Sequence, residues 1–75
     1  MTPWAKDKLA ASPDKDRILA RAKAMGVTLG ALWAPSKREW QVSAAGNGVR
    51  VLLNAHGPLA AVLDGVMDDY ETAVA

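Results

Sequence analysis

The sequence contains no cysteine and a single histidine, His56. The first absence rules out a disulfide staple, a thiolate zinc site and a cysteine nucleophile, and it makes a reducing, cytoplasmic setting the default expectation. Long apolar runs are also missing. Gly, Pro or a charge interrupts each one well before the ~18 residues a membrane-spanning helix needs. The opening Met1-Thr2-Pro3-Trp4 does not begin a charged-then-apolar signal peptide, so no membrane partner is expected. Bases are absent from residues 51–75, which hold four acids. All nine Lys and Arg lie in residues 1–50 beside four acids, and the net charge of +1 therefore hides a chain that is +5 at one end and −4 at the other. Either the two ends fold together and neutralise, or one charged surface is kept for a partner of opposite sign.

What is present is one small domain, residues 1–75, near the lower size limit for a chain that folds alone. Its strongest local signal is Asn47-Gly48. A type I′ hairpin turn requires positive φ at both central residues, which Asn tolerates and Gly adopts freely. With those residues at the tip, Ala44 pairs with Val51, Val42 with Leu53 and Trp40 with Ala55, which makes one face wholly apolar. The other face carries Gln41, Ser43, Arg50 and Asn54, with Leu52 as its exception, as in a sheet packed on one side only.

Upstream, Val27 to Ala34 alternates in the same way, and Pro35-Ser36-Lys37-Arg38 supplies a turn. Closing that turn with Ala34 opposite Glu39 sets Trp33 against Trp40 and Ala31 against Val42, so three strands share one apolar face anchored by two indoles. Before them, Ser12 as N-cap, Pro13 at the first helical position and the stripe Ile18, Leu19, Ala22, Met25 predict a helix that ends at Gly26. Thr2-Pro3 can open a short extra helix lasting to about Ala11, with Trp4, Ala5, Lys8 and Leu9 on its apolar side. After His56-Gly57-Pro58, the residues Leu59, Val62, Leu63, Val66, Met67, Tyr70 and Val74 recur at helical spacing. Gly65 within that helix suggests a close approach to a neighbour. Acids crowd its C-terminal end against the helix dipole, a conflict that Arg17 or Arg21 could relieve. Loose ends are expected in the first few residues and in residues 72–75. The fold class predicted is a two-layer α+β domain of order αβββα, a three-stranded antiparallel meander with two helices on the tryptophan face and the short extra helix before them.

Catalytic groups are scarce. Ser12, Ser36 and Ser43 read as a cap, a turn residue and a strand residue. His56 reads as a turn residue serving the amides of the following helix start, so no enzyme and no cofactor are expected. Asp64, Asp68 and Asp69 lack the shaped oxygen-rich loop that a hard cation requires. Gly46-Asn47-Gly48 leads into no helix and is not a phosphate loop.

The order αβββα resembles that of the double-stranded-RNA-binding fold. A basic half made of Lys15, Arg17, Arg21, Lys23, Lys37 and Arg38, with Arg50, makes a small nucleic-acid-binding regulator the alternative function. The resemblance is one of element order. That family clamps phosphates with lysines at the start of its last helix, whereas residues 58–65 here hold no base and do hold Asp64. The leading expectation is a non-enzymatic module that binds a larger protein, for example a bacterial or phage accessory factor that inhibits or retunes a host machine such as a defence system. Two surfaces are candidates for that contact. One is the open sheet face with Leu32, Gln41, Ser43, Arg50 and Leu52, and the other is the acidic ridge Asp64, Asp68, Asp69 and Glu71. A homodimer through the sheet face or its edges is a further arrangement these surfaces allow.

Overall fold

A computed structural model describes residues 3–75, with the side chains of residues 3–5 outside the described set. Its elements are α1 (Pro3–Ala10), α2 (Lys15–Met25), β1 (Thr28–Ala34), β2 (Glu39–Gly46), β3 (Val49–Ala55) and α3 (Leu59–Val74). The strands form an antiparallel meander in the order β1-β2-β3. The capping role of Thr2 and the placing of Trp4 and Ala5 on an apolar stripe fall outside the described residues; Leu9, on the same stripe, is buried.

Both turns carry the residues that their geometry needs. Asn47 and Gly48 have φ of 52° and 77°, the left-handed pair of a type I′ turn, and this sets Ala44 opposite Val51 and Trp40 opposite Ala55. The β1–β2 loop is a four-residue connection in which Lys37 donates to the Ala34 carbonyl and Arg38 to that of Pro35. Arg38 takes a positive φ of 50° to rejoin the strand. Trp33 then meets Trp40 edge-to-face, with ring centroids 5.3 Å apart.

The apolar face forms the core. Leu29, Ala31, Trp40, Val42 and Ala44 from the sheet meet Ile18 and Ala22 of α2 and the whole inner stripe of α3, where Leu63, Val66 and Met67 are fully buried. Gly65 has the predicted close neighbour: a Cβ built there would lie 3.1 Å from Leu53 Cδ2. A chain this short has few core positions, so each must be filled.

Several boundaries differ from the sequence reading for identifiable reasons. Ser12-Pro13 opens a turn rather than the helix itself. The Asp14 amide donates to Ser12 Oγ at 3.2 Å, and the first α-helical bond runs from Ile18 to the Asp14 carbonyl, so Asp14 is the N-cap of α2. Leu19, assigned to the buried stripe, is 42% exposed because β1 and α3 meet α2 on the Ile18–Ala22 side. At the far end Val27 does not start the strand. Its amide reaches the Ala22 carbonyl while that of Gly26 reaches Lys23, a Schellman closure with Gly26 at φ 69°. Residues 72–74, expected to be loose, remain helical. His56 does not serve the start of α3: its Nδ1 donates to the Arg38 carbonyl at 2.8 Å and ties the β3–α3 connection to the β1–β2 loop.

Candidate functional site

All three helices lie on the tryptophan side, and among the described residues nothing covers the other face of the sheet. Strand alternation brings Leu32, Gln41 and Asn54 into one cross-strand row and Gly30, Ser43 and Leu52 into the next. Leu32 and Leu52 thus stand diagonally across the middle strand, as the sequence register implies. They are 54% and 66% exposed, the two most exposed large apolar side chains of the described chain.

Between them the surface dips into a shallow concavity lined by Gly30, Leu32, Gln41, Ser43, Arg50 and Leu52. Gly30 makes the dip. A Cβ at that position would sit 2.6 Å from Ser43 Oγ, so the serine hydroxyl occupies the space a larger residue would claim. The sequence reading passed over Gly30, although an isolated glycine inside a strand pattern is the signal for such a close approach. Arg50 is the one charged side chain lining the dip.

The acidic ridge meets two members of the basic set, Arg17 and Arg21. Arg17 grips Asp64 with two parallel bonds, Nη1 to Oδ1 at 3.0 Å and Nη2 to Oδ2 at 2.7 Å. Arg21 reaches Asp64 Oδ1 at 3.1 Å, Asp68 Oδ1 at 2.5 Å and Glu71 Oε1 at 3.3 Å. This relieves the dipole conflict of α3 from the neighbouring helix, and the two oppositely charged halves of the chain pair in part along this seam. Hydrogen bonds from Arg17 first, and then from Arg21, hold the Asp64 carboxyl below its ordinary value of 3.8, against a partial burial that by itself would raise it. The same contacts push both arginines further above their ordinary range, with Asp64 the chief partner of Arg17 and Asp68 that of Arg21.

The pH consequence has a definite sign. Because the folded-state pKa of Asp64 is depressed, its contribution is complete above about pH 4 and is lost as pH falls through the lower folded value. Replacement Asp64→Asn is expected to lower the midpoint of thermal unfolding at pH 7 by about 4–8 °C, the equivalent of about 1 kcal/mol for a networked surface carboxylate. The gap between wild type and variant closes as the solution is acidified below pH 4. Thermal melts at several pH values measure it, and a gap that is unchanged at pH 2 would contradict the pairing.

Of the remaining candidates, Asp69 is exposed and takes no part in these ion pairs, while Lys15 and Lys23 are exposed on α2 and Lys37 and Arg38 are exposed in the β1–β2 loop. A second concavity, of about 550 Å³, opens where Trp33 and Trp40 meet Gly57 and Pro58, with Lys8 and Ser12 as the polar side chains of its lining. No helix among the described residues is long and apolar enough to cross a membrane. No protein family, curated protein or solved structure matches the chain.

Proposed function

We propose that the protein is a non-enzymatic binding module that docks on a larger protein through its open sheet face, working in the cytoplasm as an accessory factor that inhibits or retunes that partner. The observation carrying this reading is the pair Leu32 and Leu52, each more than half exposed, on opposite rims of a concavity on a face that no helix covers. Apolar side chains rimming a dip with a single cation suit a partner that inserts an apolar knob and brings a carboxylate to Arg50. The acidic ridge is the weaker candidate, since Asp64, Asp68 and Glu71 are already held by Arg17 and Arg21. Arg17 and Arg21 are engaged by the same contacts, and this leaves the nucleic-acid alternative with Lys15, Lys23, Lys37 and Arg38.

The test is affinity capture from the native host with mass spectrometry, run in parallel with Leu32→Asp and followed by calorimetry on the purified partner. Leu32 touches little of its own chain, so the variant keeps its circular dichroism. Burying the new carboxylate against an apolar knob weakens the complex by at least about 30-fold, the loss of a hot-spot contact. Equal binding by wild type and variant would overturn the assignment of the face.

A further inference from the structure

The two edges of the sheet are not equivalent, and β3 is the one left unfinished. On β1 the inward side chains Leu29 and Ala31 are buried and Trp33 is half-buried, whereas the whole inward row of β3, Val49, Val51, Leu53 and Ala55, stays half-buried. Helix α3 lies across β2 and β3, yet its cover leaves the inner row of β3 only half-buried, with some apolar surface along this edge. Natural edge strands are usually blunted by Pro, Lys, a bulge or an inward charge. The seven residues of β3, Val-Arg-Val-Leu-Leu-Asn-Ala, contain no Pro or Lys, their register with β2 is unbroken, and the one charge, Arg50, points to the outer face.

The hairpin fixes which backbone groups are free. Residues flanking a two-residue type I′ turn exchange both of their hydrogen bonds, so Val49 bonds Gly46, and alternation gives Val51, Leu53 and Ala55 to β2 as well. The N–H and C=O groups of Arg50, Leu52 and Asn54 consequently point away from the sheet, into the open edge.

We propose that this edge pairs with the β3 edge of a second copy of the chain, antiparallel about a two-fold axis at Leu52. Self-pairing must match edge-facing residues with edge-facing residues and keep inner side chains on the inner face. With Leu52 opposite the partner's Leu52, Arg50 bonds the partner's Asn54, and Val51 lies beside the partner's Leu53. Every free edge group of the three residues then finds a partner, the half-buried inner row is extended by its own copy, and no charge faces a like charge. A shift that centres the axis on Arg50 would set the two guanidiniums opposite each other and lose overlap. Pairing through β1 would bury less, because Leu29 and Ala31 of its inner row are already covered, which leaves only Trp33 half-buried there, and Gly30 interrupts its outer row. The contact is isologous and closes as a dimer with a continuous six-stranded sheet. It stands whether or not a third protein docks on the open face, although a docking partner would meet both copies' leucines at once.

The experiment uses the full chain. Light scattering across a concentration series is expected to show twice the 7.9 kDa monomer mass, falling to the monomer on dilution. Since the chain has no cysteine, Leu52→Cys and Leu32→Cys each introduce one exposed thiol for a short bis-maleimide. In the proposed dimer the two copies of residue 52 are about 5.5 Å apart between Cα atoms, while the two copies of residue 32 are separated by five strand spacings, at least about 24 Å. Leu52→Cys is expected to run as a cross-linked dimer on a denaturing gel and Leu32→Cys as a monomer. A monomeric mass at every concentration, or cross-linking of Leu32→Cys as complete as that of Leu52→Cys, would overturn the edge pairing; the second result would indicate stacked sheet faces instead.

Discussion

Leu63→Ala is expected to destabilise the protein by about 3–5 kcal/mol and to leave a substantial unfolded fraction at 37 °C. Leu63 is fully buried at the centre of α3, among the side chains that bind the last helix to the sheet. Truncation removes the transfer energy of the lost methyl and methylene groups, and it leaves a cavity that the flanking Val66 and Met67, themselves completely buried, have little freedom to fill. A domain of this length is stable by roughly 4–11 kcal/mol on the usual per-residue scale, so one such cavity consumes a large share. Leu19→Ala is the matched control. The chemical change is the same, but Leu19 is 42% exposed on α2, and Ala is the better helix former, so the variant should stay within about 1 kcal/mol of wild type. Urea unfolding followed by tryptophan fluorescence, with Trp33 and Trp40 reporting on the core, separates the two; equal losses would mean that the buried stripe of α3 is wrongly placed.

Gly46→Ala should be nearly as damaging, at about 2–3 kcal/mol, although alanine adds only a methyl group. A Cβ on Gly46 would overlap the Gly26 carbonyl oxygen and would lie 3.3 Å from Val27 Cα. Both obstacles are backbone. A flexible side chain could swing aside, but the Gly26 carbonyl is fixed by the Schellman closure of α2 and can move only with the helix end. The carbonyl of Gly46 also accepts a hydrogen bond from the Tyr70 hydroxyl at 2.9 Å, and that hydroxyl in turn accepts one from Asn47 Nδ2 at 3.1 Å. Displacing the strand end strains this partly buried link as well and adds about 1 kcal/mol at most. Gly48→Ala is the informative comparison. Nothing lies within 4 Å of a Cβ there, so the variant bears only the strain of its positive φ, about 1 kcal/mol. A Gly46→Ala variant no worse than Gly48→Ala would show that the hairpin and the end of α2 are not in contact.

The Gly46 contact and the Tyr70 link show where local reasoning reached its range. Asn47-Gly48 announces a turn by its own dihedral needs, and the register that follows from it extends to Trp33 and Trp40 without any long-range information. Nothing local says that Asn47 also holds the last helix through Tyr70, because the partners are 23 residues apart and depend on how α3 lies across the sheet. The same holds for charge. Arg17 and Arg21 could be named as relief for the acids of α3, but bidentate capture of Asp64 and the sharing of Asp68 and Glu71 require two helices at one separation and one rotation about their axes.

For this protein, then, the sequence by itself determined the order of elements, the strand register and the composition of both sheet faces, because turn chemistry and the two-residue period of a strand act over a few neighbouring positions. Tertiary structure alone decided the rest. It set how the helical layer lies on the sheet, which buries Leu29 and Ala31 of β1 and leaves the inner row of β3 half-buried, and it joined parts of two apparent charged surfaces in one surface seam of ion pairs. Those outcomes depend on the relative placement of elements far apart in the chain, and no local propensity encodes such a placement.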